Sequence, residues 1–250
     1  MTSPKTRSEV WKLIFRSVPI SIVLNVFCAA IAYFFYDRVF KTSPMPGQLA
    51  VVMLVACIVF PVVFGLADKG ASRLRFAGLA GIFATGSVYF TFGVTFYYFY
   101  FLFAPMPMIF HVIGVGGGLA LTAYWMTLTG RDVRQALATS KFVGQSFEDV
   151  GDALHYKLAN MAKLEAFIKA RSPSGKLHMW LVMLVAPFSL VLGRILSPYF
   201  GSHGALFVGA VIMFPVSLWV AGLLVRQYLV MIHLPLTLER SQGKPVVLIG

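Results

Sequence analysis

FAGLAGIFATGSVYFTFGVTFYYFYFLFAPMPMIFHVIGVGGGLALTAYWMTLT, residues 76–129, holds no Lys, Arg, Asp or Glu. A helix crossing about 30 Å of hydrocarbon takes about 20 mainly apolar residues, so this run is long enough for two crossings. Pro105 and Pro107 each lack a backbone N–H and divide it, which predicts a tight hairpin between two membrane helices.

Four further apolar stretches flank it. With them the predicted spans are Val18–Tyr36, Leu49–Ala67, Phe76–Phe103, Met106–Thr129, Leu177–Gly193 with an extension past Arg194, and Ala205–Val225. The composition agrees: 58% of residues are hydrophobic and 12% charged, with a mean hydropathy of +0.80, whereas roughly a quarter of a soluble domain is charged. The sequence therefore predicts an all-α, polytopic integral membrane protein with six transmembrane helices.

The basic residues alternate between gaps. Lys5, Arg7, Lys12 and Arg16 precede the first span, Lys69, Arg73 and Arg75 lie between the second and third, and eight Lys and Arg lie between the fourth and fifth. The remaining gaps carry Arg38 and Lys41, then none, then Arg194. By the positive-inside rule both termini and the even gaps are cytoplasmic, and the expected location is the bacterial inner membrane. The organisation read from this is a basic tail (1–17), a four-helix membrane region (18–129), a cytoplasmic helical insertion (130–176), the fifth and sixth helices (177–233) and a cytoplasmic tail (234–250).

The first span reads as an uncleaved signal-anchor, because its apolar core is too long for a secretory signal and no small-residue cleavage pattern follows. A net charge of +12 in a soluble domain would suggest nucleic acid. Here the cations sit beside hydrophobic spans and attract anionic lipid, so the bilayer is the expected partner and nucleic acid is discounted. Cys28 and Cys57 both fall in apolar stretches, which predicts buried thiols and no disulfide.

Between helices in lipid, small residues mark interfaces because they admit close backbone approach. Gly114 and Gly118 have that spacing in the fourth span, and Ala77, Gly81 and Thr85 repeat it in the third; these positions are expected to pack the two helices together. Phe90 to Phe103 is dense in aromatics, some at head-group level and some available to neighbouring helices or another subunit. Pro61, Pro187 and Pro215 are expected to kink their helices.

Polar residues at membrane depth are few: Asn25, His111 and Arg194. No carboxylate accompanies them as a proton relay requires. His111, His203 and Asp37 lack convergent metal-ligand spacing, and neither a phosphate-binding loop nor a Gly-x-Ser-x-Gly elbow occurs. No cofactor, metal or catalytic residue is predicted.

In the insertion, Ser146 and Asp149 resemble a capping box, and acids near the start with bases near the end suit one helix of about 25 residues running to Ser172. Phe147, Leu154, Met161 and Ile168 recur every seven residues, with Val150, Leu158 and Leu164 on the same side. Such a stripe covers the chain's own membrane helices or docks a partner helix. After the sixth span a helix is expected through Leu234, stopped by Pro235. The tail is then flexible or docks as a small extension. The expected function is a non-enzymatic subunit of a larger envelope assembly, bound to a protein partner or to a second copy; the alternative is a channel or transporter.

Overall fold

The computed structural model describes residues 8–139, 141–171, 203–204 and 206–249. Five helices among them are long and apolar enough to cross a membrane: α1 (Glu9–Val39), α2 (Met45–Ala67), α3 (Leu74–Phe103), α4 (Met108–Thr139) and α7 (Leu206–Gln242). The chain is a multi-pass membrane protein. The predicted fifth span, with Arg194, lies outside the described residues. Its flanks lie at opposite ends of the molecule: α6 (Asn160–Arg171) packs at the end holding the start of α1, while His203 stacks on Phe40 at 4.3 Å at the other.

Helix α1 begins well before the apolar run. Ser8 caps it, its hydroxyl accepting from the Trp11 N–H at 3.4 Å, and Glu9 in the first turn suits the dipole. Val10 and Ile14 are buried in the core at this end. Helices α3 and α4 meet at the Pro105–Pro107 hairpin as the sequence indicates. In α3 the turns widen to a π-helix over Phe90–Tyr98. Just before and at its start, the Ser87 and Thr91 hydroxyls donate to the carbonyls of Phe83 and Ser87 at 3.0 and 2.8 Å, a competition that loosens the ordinary backbone ladder.

Between α4 and α6 the chain departs from expectation. The single helix of about 25 residues is replaced by a short α5 (Phe142–Ser146), a hairpin of β1 (Phe147–Asp149) and β2 (Leu154–Lys157), and then α6. Gly151 takes φ +90°, which a helix does not permit, and its N–H donates to the Asp149 carboxylate at 2.9 Å. Leu154 and Tyr156 are buried while Lys157 is exposed, a period of two rather than 3.6. Ser146 and Asp149 therefore flank and close a strand instead of capping a helix.

Nor does Pro235 stop the last helix. A π-turn at Leu229–His233 precedes it and relieves the clash a proline ring makes with an ordinary preceding turn; α7 then continues to Gln242 and ends on Gly243 at φ +69°. Beyond it the C-terminal residues form β3 (Val246–Ile249). β3 pairs parallel with β2 in the order β1-β2-β3, with Leu154 opposite Val246 and Tyr156 opposite Leu248. Its other edge meets the α2–α3 loop, where Val247 bridges Arg73 and the Leu248 N–H donates to the Ser72 carbonyl at 2.7 Å. The tail is thus a strand flanked on both sides.

That loop is held by Asp68, whose buried carboxylate accepts from the Ser72 and Arg73 N–H groups at 2.9 and 2.8 Å. The Ser72 hydroxyl in turn accepts from the Glu9 N–H at 3.0 Å. Asp68→Ala leaves two amides without an acceptor, at about 1–3 kcal/mol each where water cannot replace it. Its thermal midpoint in detergent is expected to fall, with faster tryptic cleavage at Lys69 and Arg73; Asp68→Asn should lose less, because one oxygen remains.

The β3 end has its own clip. The Lys244 ammonium donates to both Asp149 oxygens at 2.7 and 2.6 Å, and this hydrogen bonding, with the Gly151 N–H, holds the Asp149 carboxyl below the usual carboxylate range. A lowered carboxyl contributes stability above its unfolded value of about 3.9 and loses it as pH falls through the folded value. The protection factors of the Val246–Ile249 amides, taken against intrinsic exchange at each pH, should therefore fall as pH drops below about 3.9, and Lys244→Met should weaken that dependence, leaving the part due to the Gly151 N–H.

Candidate functional site

Three helices share a buried polar seam inside the predicted membrane layer. On α1, Ser21, Asn25 and Cys28 are buried on one side; on α3, Ser87, Thr91 and Thr95 follow one another by one turn. The Asn25 amide donates to the Ser21 carbonyl at 2.8 Å and to the Ser87 hydroxyl at 3.0 Å. Cys57 on α2 lies 3.0 Å from the same hydroxyl. The Cys57 thiol also faces the Phe83 carbonyl at 3.5 Å, the group to which Ser87 donates at 3.0 Å. Likewise the Cys28 thiol reaches Thr91 at 3.2 Å while Thr91 donates to Ser87. Both cysteines are free thiols. Among the described residues Asn25 Oδ1 and Thr95 Oγ1 of this seam have no hydrogen-bond partner.

The two small-residue patterns meet different neighbours. Gly114 seats the Phe101 ring and Gly118 the rings of Tyr97 and Tyr98, so the aromatic half of α3 packs on α4. Tyr97 donates to the Gly114 carbonyl at 2.9 Å, and Tyr98 and Thr122 share a hydrogen bond at 3.0 Å. Ala77, Gly81 and Thr85 instead lie in the half of α3 that packs on α7. Gln227 fills the space over Gly81, and Thr85 donates to its amide oxygen at 3.0 Å. The third and fourth spans thus meet through Gly114 and Gly118, while the neighbour beside Gly81 and Thr85 is α7. There α7 also approaches α4, with Val225 near Gly130 and Thr129 over Gly222.

His111 ties the hairpin at the opposite end, its ring nitrogens facing the Phe101 and Met106 carbonyls. Among the described residues no three His, Cys, Asp or Glu converge as metal ligands. The seven-residue stripe is not a single helix face. Phe147 and Leu154 lie on strands, Leu164 and Ile168 on α6, and all four are buried in the core at the start of α1 with Met161 against them, while Leu158 is exposed.

Sequence reading found Asn25 and missed its partners, together with Asp68 and Gln227. The signal was present as polar residues one turn apart in an apolar helix, Ser21-Asn25 and Ser87-Thr91-Thr95, which necessarily share a face. Ser87→Val removes the hydroxyl that meets both Asn25 and Cys57 and should cost about 0.6–1.7 kcal/mol of stability in detergent unfolding. Gly118→Leu drives a side chain into Tyr97 and should lower the thermal midpoint clearly more than Gly117→Leu, whose site meets nothing within 4 Å among the described residues. No family model, curated protein or solved structure matches this chain.

Proposed function

We propose that this chain is a non-enzymatic subunit of a larger assembly in the bacterial inner membrane, crossing it six times with both termini in the cytoplasm. The basic residues of the tails and even gaps support this orientation. The start of α1, the Asp68–Arg73 loop, the sheet and α6 gather at one end, and Phe40, Met106 and Leu206 meet at the other. The end holding the start of α1 is then the cytoplasmic cap.

The observation that carries the subunit reading is the open side of α4. Gly114 and Gly118 are filled by aromatic rings, but Gly116 and Gly117 meet nothing within 4 Å among the described residues, and exposed Val112, Ile113 and Leu119 surround them. Each glycine costs a helix about 1 kcal/mol relative to alanine. A face that only met lipid would gain nothing in return, whereas an approaching helix gains close backbone contact. A photo-crosslinking residue at Gly117 in the natively expressed chain should give an adduct with one partner polypeptide or a second copy, identified by mass spectrometry. Adducts confined to lipid or to residues 177–193 of the same chain would overturn the reading.

The polar seam favours a second reading, a channel or transporter for a small solute or apolar substrate. Asn25 Oδ1 and Thr95 Oγ1 are held at depth with no hydrogen-bond partner among the described residues, the kind of group that a passing solute or water satisfies. Solute flux in proteoliposomes that Asn25→Leu abolished would place this reading first.

A further inference from the structure

A groove of about 530 Å³ runs between α4 and α7 near the cap. Its apolar lining is made by Ile82, Leu224 and Val225, all partly buried, and by the exposed Met126. Its mouth carries Arg131, Arg134 and Tyr228, all exposed to a large degree. The two arginines are three residues apart on α4 and share a face. Among the described residues neither is in an ion pair, and no carboxylate lines the groove. From Met126 to Arg134 the helix rises about 12 Å, most of the roughly 15 Å depth of one hydrocarbon leaflet. Cations, a tyrosine hydroxyl and an apolar slot are therefore stacked in the order in which a phospholipid presents its phosphate and its acyl chains.

We infer that this groove is a specific site for an anionic phospholipid of the cap-side leaflet. Arg131 and Arg134 hold the phosphate by charge-assisted hydrogen bonds, Tyr228 adds a hydroxyl donor, and one acyl chain lies along Met126 and Leu224. Guanidinium suits this role because its planar donors match phosphate oxygens in pairs. Net attraction requires the second negative charge of an anionic headgroup or the absence of a headgroup amine, so phosphatidylglycerol should bind in preference to phosphatidylethanolamine.

The test is lipid retention by the purified full chain in native mass spectrometry, with phosphatidylglycerol and phosphatidylethanolamine offered in equal amount. The wild-type chain should retain phosphatidylglycerol preferentially, and Arg131→Gln with Arg134→Gln should weaken that binding roughly thirtyfold, the factor two arginine–headgroup attractions carry. Arg38→Gln with Lys41→Gln, at the opposite end, should leave it unchanged. Leu224→Trp fills the apolar slot and should also reduce retention with both arginines in place, which keeps the test sound if the double variant folds poorly. No preference in the wild-type chain, retention unchanged in both groove variants, or displacement by inorganic phosphate as effective as by the lipid would each overturn the assignment.

Discussion

The carboxylate of Asp68 is the constraint on which the cap depends. It lies at the end of α2, almost wholly buried, and takes two successive amide protons of the loop that turns the chain into α3. That loop has Lys69 and Ser72 at positive φ, a conformation non-glycine residues adopt only when the surroundings fix it. Fixing it orients three outward groups at once. The Ser72 hydroxyl receives the first amide of α1, its carbonyl receives Leu248, and Arg73 bridges Val247. Glu239 completes the closure from the other side, taking the Val246 amide at 3.1 Å while it lies 3.7 Å from the Arg75 guanidinium. One acid thus links the beginning of the chain, its second connection and its end.

Within the apolar layer a different rule operates. Lipid offers helices no hydrophobic reason to associate, so hydrogen bonds between hydroxyls, amides and thiols and the removal of side-chain bulk decide which faces meet. Helices α1, α2 and α3 are joined by the first means, through Asn25, Cys57 and Ser87. Helices α3 and α4 are joined mainly by the second, aromatic rings resting on Gly114 and Gly118. The aromatic density of Phe90–Phe103 accordingly belongs in large part to internal packing, with Tyr97 stacked on Phe214 at 4.0 Å and Phe99 edge-on to Tyr36 at 6.3 Å.

Membrane character and the hairpin at Pro105 and Pro107 were legible because they follow from single-residue properties: absence of charge over a long run and absence of an N–H. The strands of the cap were not. Phe147, Leu154, Met161 and Ile168 recur at a helical period by coincidence, and the competing alternation covers only Leu154 to Lys157. Gly151 is the residue that decides, and a lone glycine in a helical pattern is a weak signal. β3 was illegible for a further reason: Val246–Ile249 is too short to declare itself, and its partners lie far away in the sequence, at Leu154–Lys157 and Ser72–Arg73. Nonlocal pairing leaves no periodic trace in either partner.

The rotation of α4 connects the open glycines to the groove. Tyr97 on the Gly114 carbonyl and Tyr98 on Thr122 fix which side of α4 faces α3. Two residues along a helix turn it by about 200°, so seating Gly114 and Gly118 inward necessarily turns Gly116 outward. At 3.6 residues per turn, Arg134 lies about five whole turns from Gly116 and returns to the same side. The side of α4 with unfilled glycines is therefore also the side with the arginine-lined groove at its cap end. A helix that approached Gly116 closely would run beside the groove, and a phospholipid held there would form part of the contact surface. The proposed partner contact and the proposed lipid site are tied together by this geometry, since one rotational setting of α4 presents both the open glycines and the groove.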